Sequence, residues 1–296
     1  MRGVSLLSPA KINLFLEVLG KRRDGYHEIR TILALIELSD EVYIEPKSSG
    51  LEVACSDSRV PNGPENLAYK AAEVLFQEKG LSRKGLSIFI NKRIPVGGGL
   101  GGGSSNAAAT LWGINLLFNL GMGIMELQEL GACLGSDVPF FFTEGVAIAE
   151  GRGEVLTPLP PLPPLWVVLV NPGIEVSTAW AYERAKIELT SLRSDINIKN
   201  LVYREGFSGI LERAYNSLEE GVFERYPILA EIKDSLLSFG ARPALMAGSG
   251  ATIFGAFSRE EIARQCMDYF SRKGYFTVFT RVLNNNPILS GGKKWK

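Results

Sequence analysis

The sequence predicts an α+β protein of two domains with mixed or antiparallel sheets. Three observations predict it. Strand-like and helix-like segments follow one another without the regular alternation of a doubly wound parallel sheet. Thr157 to Pro164 is so rich in proline that it fits neither a helix nor a central strand, and it reads as a stiff connector near the middle of the chain. The chain also carries no internal repeat and no heptad pattern. The expected division is 1–157, 165–283 and a frayed tail at 284–296.

In order along the chain, Ala10 to Val18 reads as the first strand. Ile12, Leu14, Leu16 and Val18 alternate onto one face, and Lys11, Asn13, Phe15 and Glu17 onto the other. Lys11 and Asn13 therefore project on the same side, roughly 7 Å apart. They form either a solvated edge or a polar site. The turn Asp24-Gly25 leads to Tyr26 and to His27, the single histidine of the chain. An aromatic face beside a ring with two hydrogen-bonding edges suits a flat heterocycle, although a lone surface histidine often has no role. Ile29 to Leu38 and Glu41 to Pro46 read as two strands separated by Ser39-Asp40. Pro64-Glu65-Asn66 opens a helix that Gly80 ends.

Leu86 to Asn91 is an apolar strand. It runs into Pro95-Val96-Gly97-Gly98-Gly99-Leu100-Gly101-Gly102-Gly103-Ser104-Ser105, followed by a helix from Ala107 to Leu120. Ordering so many glycines is unfavourable unless the backbone needs positive φ or a ligand lies against bare N–H groups. Ser104, Ser105 and Asn106 are N-cap residue types. A strand, a glycine loop and a helix N-terminus together form an anion site, and a phosphate chain is its natural guest. The run ends without Gly-Lys-Ser/Thr, so it is not a P-loop. No acidic residue stands where a dinucleotide fold would place it.

A helix from Met125 to Leu134 leads into Gly135-Ser136-Asp137-Val138-Pro139 and three phenylalanines. Asp137 is there either a turn cap or a working carboxylate beside an apolar wall. Val146 to Glu150 is a strand. Beyond the prolines, Trp166 to Val170 is a strand apolar on both faces, and Ser177-Thr178 caps a helix carrying Trp180 and Tyr182. Residues 191–208 read as loop. Helices are expected over 210–220, 228–239 and 259–272. Ala244 to Gly255 reads as strand, small-residue turn and strand, and Phe276 to Val282 as the last strand.

Composition bounds the function. Acidic and basic residues balance at 32 each in 296 residues, with no basic stripe, so neither nucleic acid nor an anionic membrane is an expected partner. Three unclustered cysteines have no zinc spacing and suit a reducing compartment. Without a leader-like or bilayer-length apolar segment, a cytoplasmic protein is expected, monomer or homodimer.

Three separated motifs, Pro9-Ala10-Lys11-Ile12-Asn13, the glycine run 95–105 and Ala247-Gly248-Ser249-Gly250-Ala251, together resemble the GHMP kinase superfamily. Arg23-Asp24-Gly25-Tyr26-His27-Glu28 and Leu134-Gly135-Ser136-Asp137-Val138-Pro139 narrow the resemblance. They point to the branch whose acceptor alcohol carries a cytidine diphosphate, in non-mevalonate isoprenoid synthesis. The resemblance implies a two-domain kinase with its active site in the interdomain cleft, using ATP and Mg²⁺. It places the ATP phosphates on 95–105 and makes Lys11 and Asp137 the catalytic pair, with Asp137 as base or orienting group. It puts the cytidine end at Tyr26 and His27, with Tyr182 across the base and Asn13 and Thr178 nearby. Where the family has Asn-Asp-Leu-Glu, this chain has Asn216-Ser217-Leu218-Glu219. The competing readings are a kinase for a small alcohol such as homoserine or mevalonate, a non-catalytic nucleotide-binding protein and an RNA-associated protein.

Overall fold

The computed structural model describes residues 3–81, 85–185 and 198–295. Its frame is a long antiparallel hairpin of β1 (Gly3–Lys21) and β2 (His27–Lys47), interrupted by three register shifts. The shift between Pro9 and Ala10 leaves Glu37 and Leu38 unmatched, directly before Ser39-Asp40. The break expected there is thus a bulge within one strand, because a bulge lets the strand bend without losing its partner. At this bend β2 changes neighbours. Its first half pairs with β5 (Val146–Gly151), and its second half with β4 (Gly85–Asn91). Two strands absent from the sequence reading complete this part: β3 (Leu51–Cys55), parallel to β4, and β6 (Val155–Pro158), antiparallel to β5. The proline run therefore begins as an edge strand, where a missing N–H costs no ladder bond.

Three helices cover the β4 side of this sheet. In α1 (Leu67–Glu78), Asn66 accepts the Ala68 N–H at 2.9 Å. Ala68, Ala71, Ala72, Leu75 and Phe76 are buried at the i, i+3, i+4, i+7, i+8 spacing of one helical face. Helix α2 (Gly102–Phe118) is sandwiched, with Ala107, Ala108, Ala109, Leu111 and Ile114 all buried. Helix α3 (Ile124–Leu134) ends just before the 3-10 turn Pro139–Phe142, whose three phenylalanines sit in the same core.

After the connector, β7 (Trp166–Asn171) lies in a second, antiparallel sheet in the order β11-β7-β10-β9. The others are β9 (Ala244–Met246), β10 (Ile253–Phe257) and β11 (Phe276–Arg281). The alternation predicted for a strand buried on both faces is present. Val167 and Leu169 pack in a core shared with Ile12, Leu14 and Ile32 of the hairpin. Val168 and Val170 pack toward the outer helices α6 (Glu219–Arg225), α7 (Pro227–Ser238) and α8 (Glu260–Arg272). A short helix, α4 (Thr178–Glu183), has Ser177 as its N-cap.

Three expectations need correction. Of the stretch read as loop, 191–197 lie outside the described residues, and 198–208 belong to helix α5 (Ile198–Glu212), bent at Gly206. The helix expected over 210–220 is broken, because β8 (Tyr215–Asn216) joins the first sheet parallel to β1 and a new helix starts at Glu219. The tail is packed rather than frayed. Ile288 is fully buried, Asn286 donates to the Phe141 and Thr143 carbonyls, and β12 (Lys293–Trp295) pairs with the start of β1. A pattern-based reading misses it because one buried isoleucine and one asparagine make no periodicity; they find their partners only across the fold.

Candidate active site

Two cavities meet at Ser104, which lines both. The first, of about 350 Å³, runs along the glycine loop from Pro95 to Ser104, with Val60, Pro61 and Leu67 as an apolar wall and Arg59 and Lys92 as cations. The loop is shaped by alternating positive φ at Gly97, Gly99 and Gly101. Gly99 is obligatory on two counts: its φ is +76°, and an added Cβ would lie 1.9 Å from the Ala247 carbonyl oxygen. Gly101, at φ +72°, is the N-cap of α2 and offers no side-chain cap to the helix. Ser104, Ser105 and Asn106 therefore lie inside the first turns and not at the cap. The free N–H groups of a 17-residue helix face the cleft with no side chain in their place. Ser105 is fully buried, and its hydroxyl accepts from Ser8 at 2.7 Å, so it lies behind the cavity wall.

The second cavity, of about 490 Å³, is lined by Tyr26, His27, Asp137, Thr178 and Tyr182, together with Lys21, Ser136, Arg152 and Glu183. With Ser104, five separate segments thus build it. Tyr26 is exposed at the hairpin tip, where its N–H is held by Asp24 at 3.1 Å and the Arg152 guanidinium lies 4.9 Å over its ring. The His27 and Tyr182 rings touch, with centroids 5.2 Å apart and tilted by 32°. That spacing is one ring–ring contact and leaves no slot for a base between them. A base stacked on Tyr182 therefore either displaces His27 or takes the other face of the tyrosine. Burial, and then the nearby Lys21 charge, hold the His27 imidazole below its ordinary pKa, so it is neutral at neutral pH. Burial, and then the Asp137 charge, push the Tyr182 phenol upward, so it remains a hydroxyl.

Lys11 and Asp137 face one another with Nζ to Oδ2 at 3.8 Å; the aspartate is half-exposed and lines the second cavity, and the lysine is buried against Gly101 of the glycine loop. The distance is too long for a direct hydrogen bond. A hydroxyl oxygen about 2.8 Å from each group fits between them. Lys11 is fixed from both ends. Its N–H donates to Leu100 of the glycine loop at 3.0 Å, and its Nζ donates to Asn13 Oδ1 at 2.9 Å. The same oxygen accepts the Gly248 N–H at 3.0 Å, and Asn13 Nδ2 donates to Thr31. Asn13 is thus committed to protein partners behind Lys11 and lines neither cavity. Thr178 shares a 3.0 Å hydrogen bond with Ser249 of the third glycine motif.

The residues 247–250 pack directly on the glycine loop, where a Cβ at Gly248 would lie 2.9 Å from the Gly99 carbonyl. Asn216 donates to the Met246 and Gly248 carbonyls, so the Asn-Ser-Leu-Glu stretch braces this loop. Ser217 accepts the Val18 N–H, a bond from backbone to side chain that needs no aspartate.

Sequence reasoning missed Lys21, Arg152, Glu183 and the apolar wall of Val60, Pro61 and Leu67. Arg152 stands between two glycines, which is a weak turn signal, and the others carry no local pattern. Among the described residues no three His, Cys, Asp or Glu side chains cluster as a metal site. None of their helices is long and apolar enough to cross a membrane.

A family model for the GHMP kinases N terminal domain matches residues 66–145, and one for the GHMP kinases C terminal matches residues 197–275. A protein of Geobacter metallireducens called 4-diphosphocytidyl-2-C-methyl-D-erythritol kinase is 45% identical over 285 residues, covering 96% of this chain and all of the relative. A protein of the same description from Geobacillus kaustophilus is 44% identical, covering 87% of this chain and 89% of its own. A solved structure of 4-(cytidine 5'-diphospho)-2C-methyl-D-erythritol kinase superposes with a TM-score of 0.79 at 36% identity, over 94% of this chain and 99% of that one. The homoserine kinase of Cytophaga hutchinsonii shares the fold, with a TM-score of 0.77 at 18% identity over 99% of this chain and 97% of its own.

Proposed function

We propose an assignment of roles on one premise: the chain belongs to the 4-diphosphocytidyl-2-C-methyl-D-erythritol kinases of the GHMP kinase superfamily, which are ATP-dependent phosphotransferases. It transfers the terminal phosphate of ATP to the 2-hydroxyl of 4-diphosphocytidyl-2-C-methyl-D-erythritol, in non-mevalonate isoprenoid synthesis. One observation carries the division of labour. Lys11 and Asp137 are 3.8 Å apart, the aspartate lining the ring-lined cavity and the lysine lying against Gly101 of the backbone-lined cleft.

Phosphoryl transfer asks a protein for alignment and charge balance more than for covalent work. The loop 95–103 and the N-terminus of α2 receive the triphosphate through main-chain N–H groups, a cradle whose shape an added Cβ at Gly99 would disturb by colliding with the Ala247 carbonyl packed behind it. The adenosine end lies against Val60, Pro61 and Leu67. In the second cavity, Tyr26, His27 and Tyr182 hold the cytosine. Thr178 lies along the same substrate. Asp137 accepts the proton of the attacking hydroxyl, or orients it. Lys11, held by Asn13, donates to that hydroxyl oxygen and balances the carboxylate.

The donor set fits Mg²⁺ only through phosphate oxygens, water and at most Asp137 with the Ser104 hydroxyl, because no carboxylate cage exists among the described residues. The ion would neutralise charge on the transferring phosphate. The protein is expected to act in the cytoplasm, without nucleic-acid or membrane partners.

The test is ADP release with 4-diphosphocytidyl-methylerythritol, homoserine and mevalonate offered in parallel. Turnover with the cytidylyl substrate alone is expected. Faster turnover with either small alcohol would overturn the reading.

A further inference from the structure

The turn-like dipeptide Ser39-Asp40 is buried at the bend where β2 exchanges β5 for β4. Asp40 is completely buried, and each of its oxygens has two partners. Oδ1 accepts the N–H groups of Arg93 at 2.7 Å and Ile94 at 2.9 Å, on the leading side of the glycine loop. Oδ2 accepts Asn106 Nδ2 at 2.9 Å, on the trailing side, and pairs with the Lys92 ammonium. Asn106 also donates to Ser8 at 2.9 Å, and Ser8 to Ser105. One carboxylate thus ties together the two ends of the segment 95–105. The Lys92 head it neutralises lies against Gly102, where a Cβ would come within 3.0 Å of Nζ.

We propose that Asp40 is the positioning residue of the nucleotide loop. By holding residues 92–94 and Asn106 on a single carboxylate, it fixes the span and tilt of the N–H groups that receive the ATP phosphates. The inference rests on the ATP-binding reading of that loop. Glycines impose no shape of their own, so the loop's geometry has to be set by what holds it: Lys11 and residues 247–250 hold its middle, and the Asp40 cluster holds its two ends. A buried carboxylate accepting four charge-assisted or main-chain bonds is a stiff anchor. Lys92, spent on this carboxylate, is not a free cation for the phosphates.

The experiment compares ADP binding and steady-state kinetics in the wild type, Asp40→Asn, Asn106→Ala and the exchange Asp40→Asn with Asn106→Asp. An asparagine at 40 keeps an acceptor for Arg93 and Ile94 but turns a donor toward Lys92 and Asn106. The expected result is a rise in KM for ATP and weaker ADP binding on the order of 10- to 100-fold, with kcat and the KM of the cytidylyl substrate changed less than about threefold. Asn106→Ala, which leaves the Asp40–Lys92 pair, is expected to show the same split at smaller size and decides the matter if Asp40→Asn does not fold. The exchange variant, which returns a carboxylate to the cluster, is expected to recover most of the ADP affinity. Unchanged ADP binding in both single variants, equal effects on both substrates, or no recovery in the exchange overturns the proposal. A wild-type protein that binds no ADP overturns the nucleotide reading itself, and this inference with it.

Discussion

The two cavities that meet at Ser104 are built from different material. The cleft proposed for the nucleotide is made of main chain: one continuous segment, 95–104, supplies most of its floor. The cavity proposed for the acceptor is made of side chains: a hairpin tip, the Ser136-Asp137 turn, Arg152 and helix α4 each contribute one wall. The difference has a physical origin. Every nucleoside triphosphate offers the same chain of phosphates, which bare N–H groups recognise without side chains. A particular alcohol with a particular base must be told apart by rings, hydroxyls and charges placed in three dimensions. A backbone site is therefore damaged by adding atoms, and a side-chain site by removing them.

The largest expected effect falls at the junction, where both cavities are needed. Asp137→Asn should lower kcat by roughly 10²- to 10⁴-fold while ADP affinity, measured by calorimetry, is retained; normal turnover would remove Asp137 from its role. Next comes addition on the nucleotide side. Gly99→Ala drives a methyl group into the Ala247 carbonyl and requires φ +76° of an L-residue. It should cost on the order of 1–3 kcal/mol of stability by thermal denaturation and weaken ATP more than the acceptor. If Gly99→Ala binds ATP normally, the contrast between the cavities fails on this side.

Smaller effects belong to removal on the acceptor side. Tyr26→Ala, His27→Ala and Tyr182→Ala should each raise KM for the cytidylyl substrate, for the tyrosines roughly 10-fold or more, and leave KM for ATP in place. Equal effects on both substrates would argue against a base pocket.

The smallest effect is electrostatic. Because burial and Lys21 lower the His27 pKa from 6.5, the unfolded chain takes up that proton first as the pH falls. The sign follows: this group opposes folding only as the pH drops below about 6.5 and has no effect above it. As the only histidine, its ring protons give one NMR titration curve, expected with a midpoint below 6.5. A midpoint above that value would place His27 outside the Lys21-lined cavity.

The same contrast governs how much could be read in advance. Local grammar was legible: the opening of α1 at Pro64-Glu65-Asn66 and its stop at Gly80, the two-faced burial of β7, and the glycine loop between β4 and α2. The start of α2 was misread because Ser104 to Asn106 are cap-type residues, whereas Gly101 alone can take the left-handed conformation that lets the helix begin earlier. The acceptor side was legible only in pieces. Tyr26, His27, Asp137, Thr178 and Tyr182 were each visible, but Lys21, Arg152 and Glu183 join them only because a hairpin tip folds over a helix that lies far along the chain.

By itself the sequence determined what short-range physics controls: most of the strands and helices, and where a run of glycines leaves main chain bare beside a helix N-terminus. The tertiary structure alone decided what depends on long-range closure. It brought Lys11 within 3.8 Å of Asp137, made Asp40, read only as lying between two strands, a buried acceptor for the residues before the glycine loop, and drew the tail back against β1. The physical reason is that hydrogen bonds and ion pairs of this kind carry no periodicity; their partners are chosen by the packing of both sheets, and each residue is legible only once its neighbours are in place.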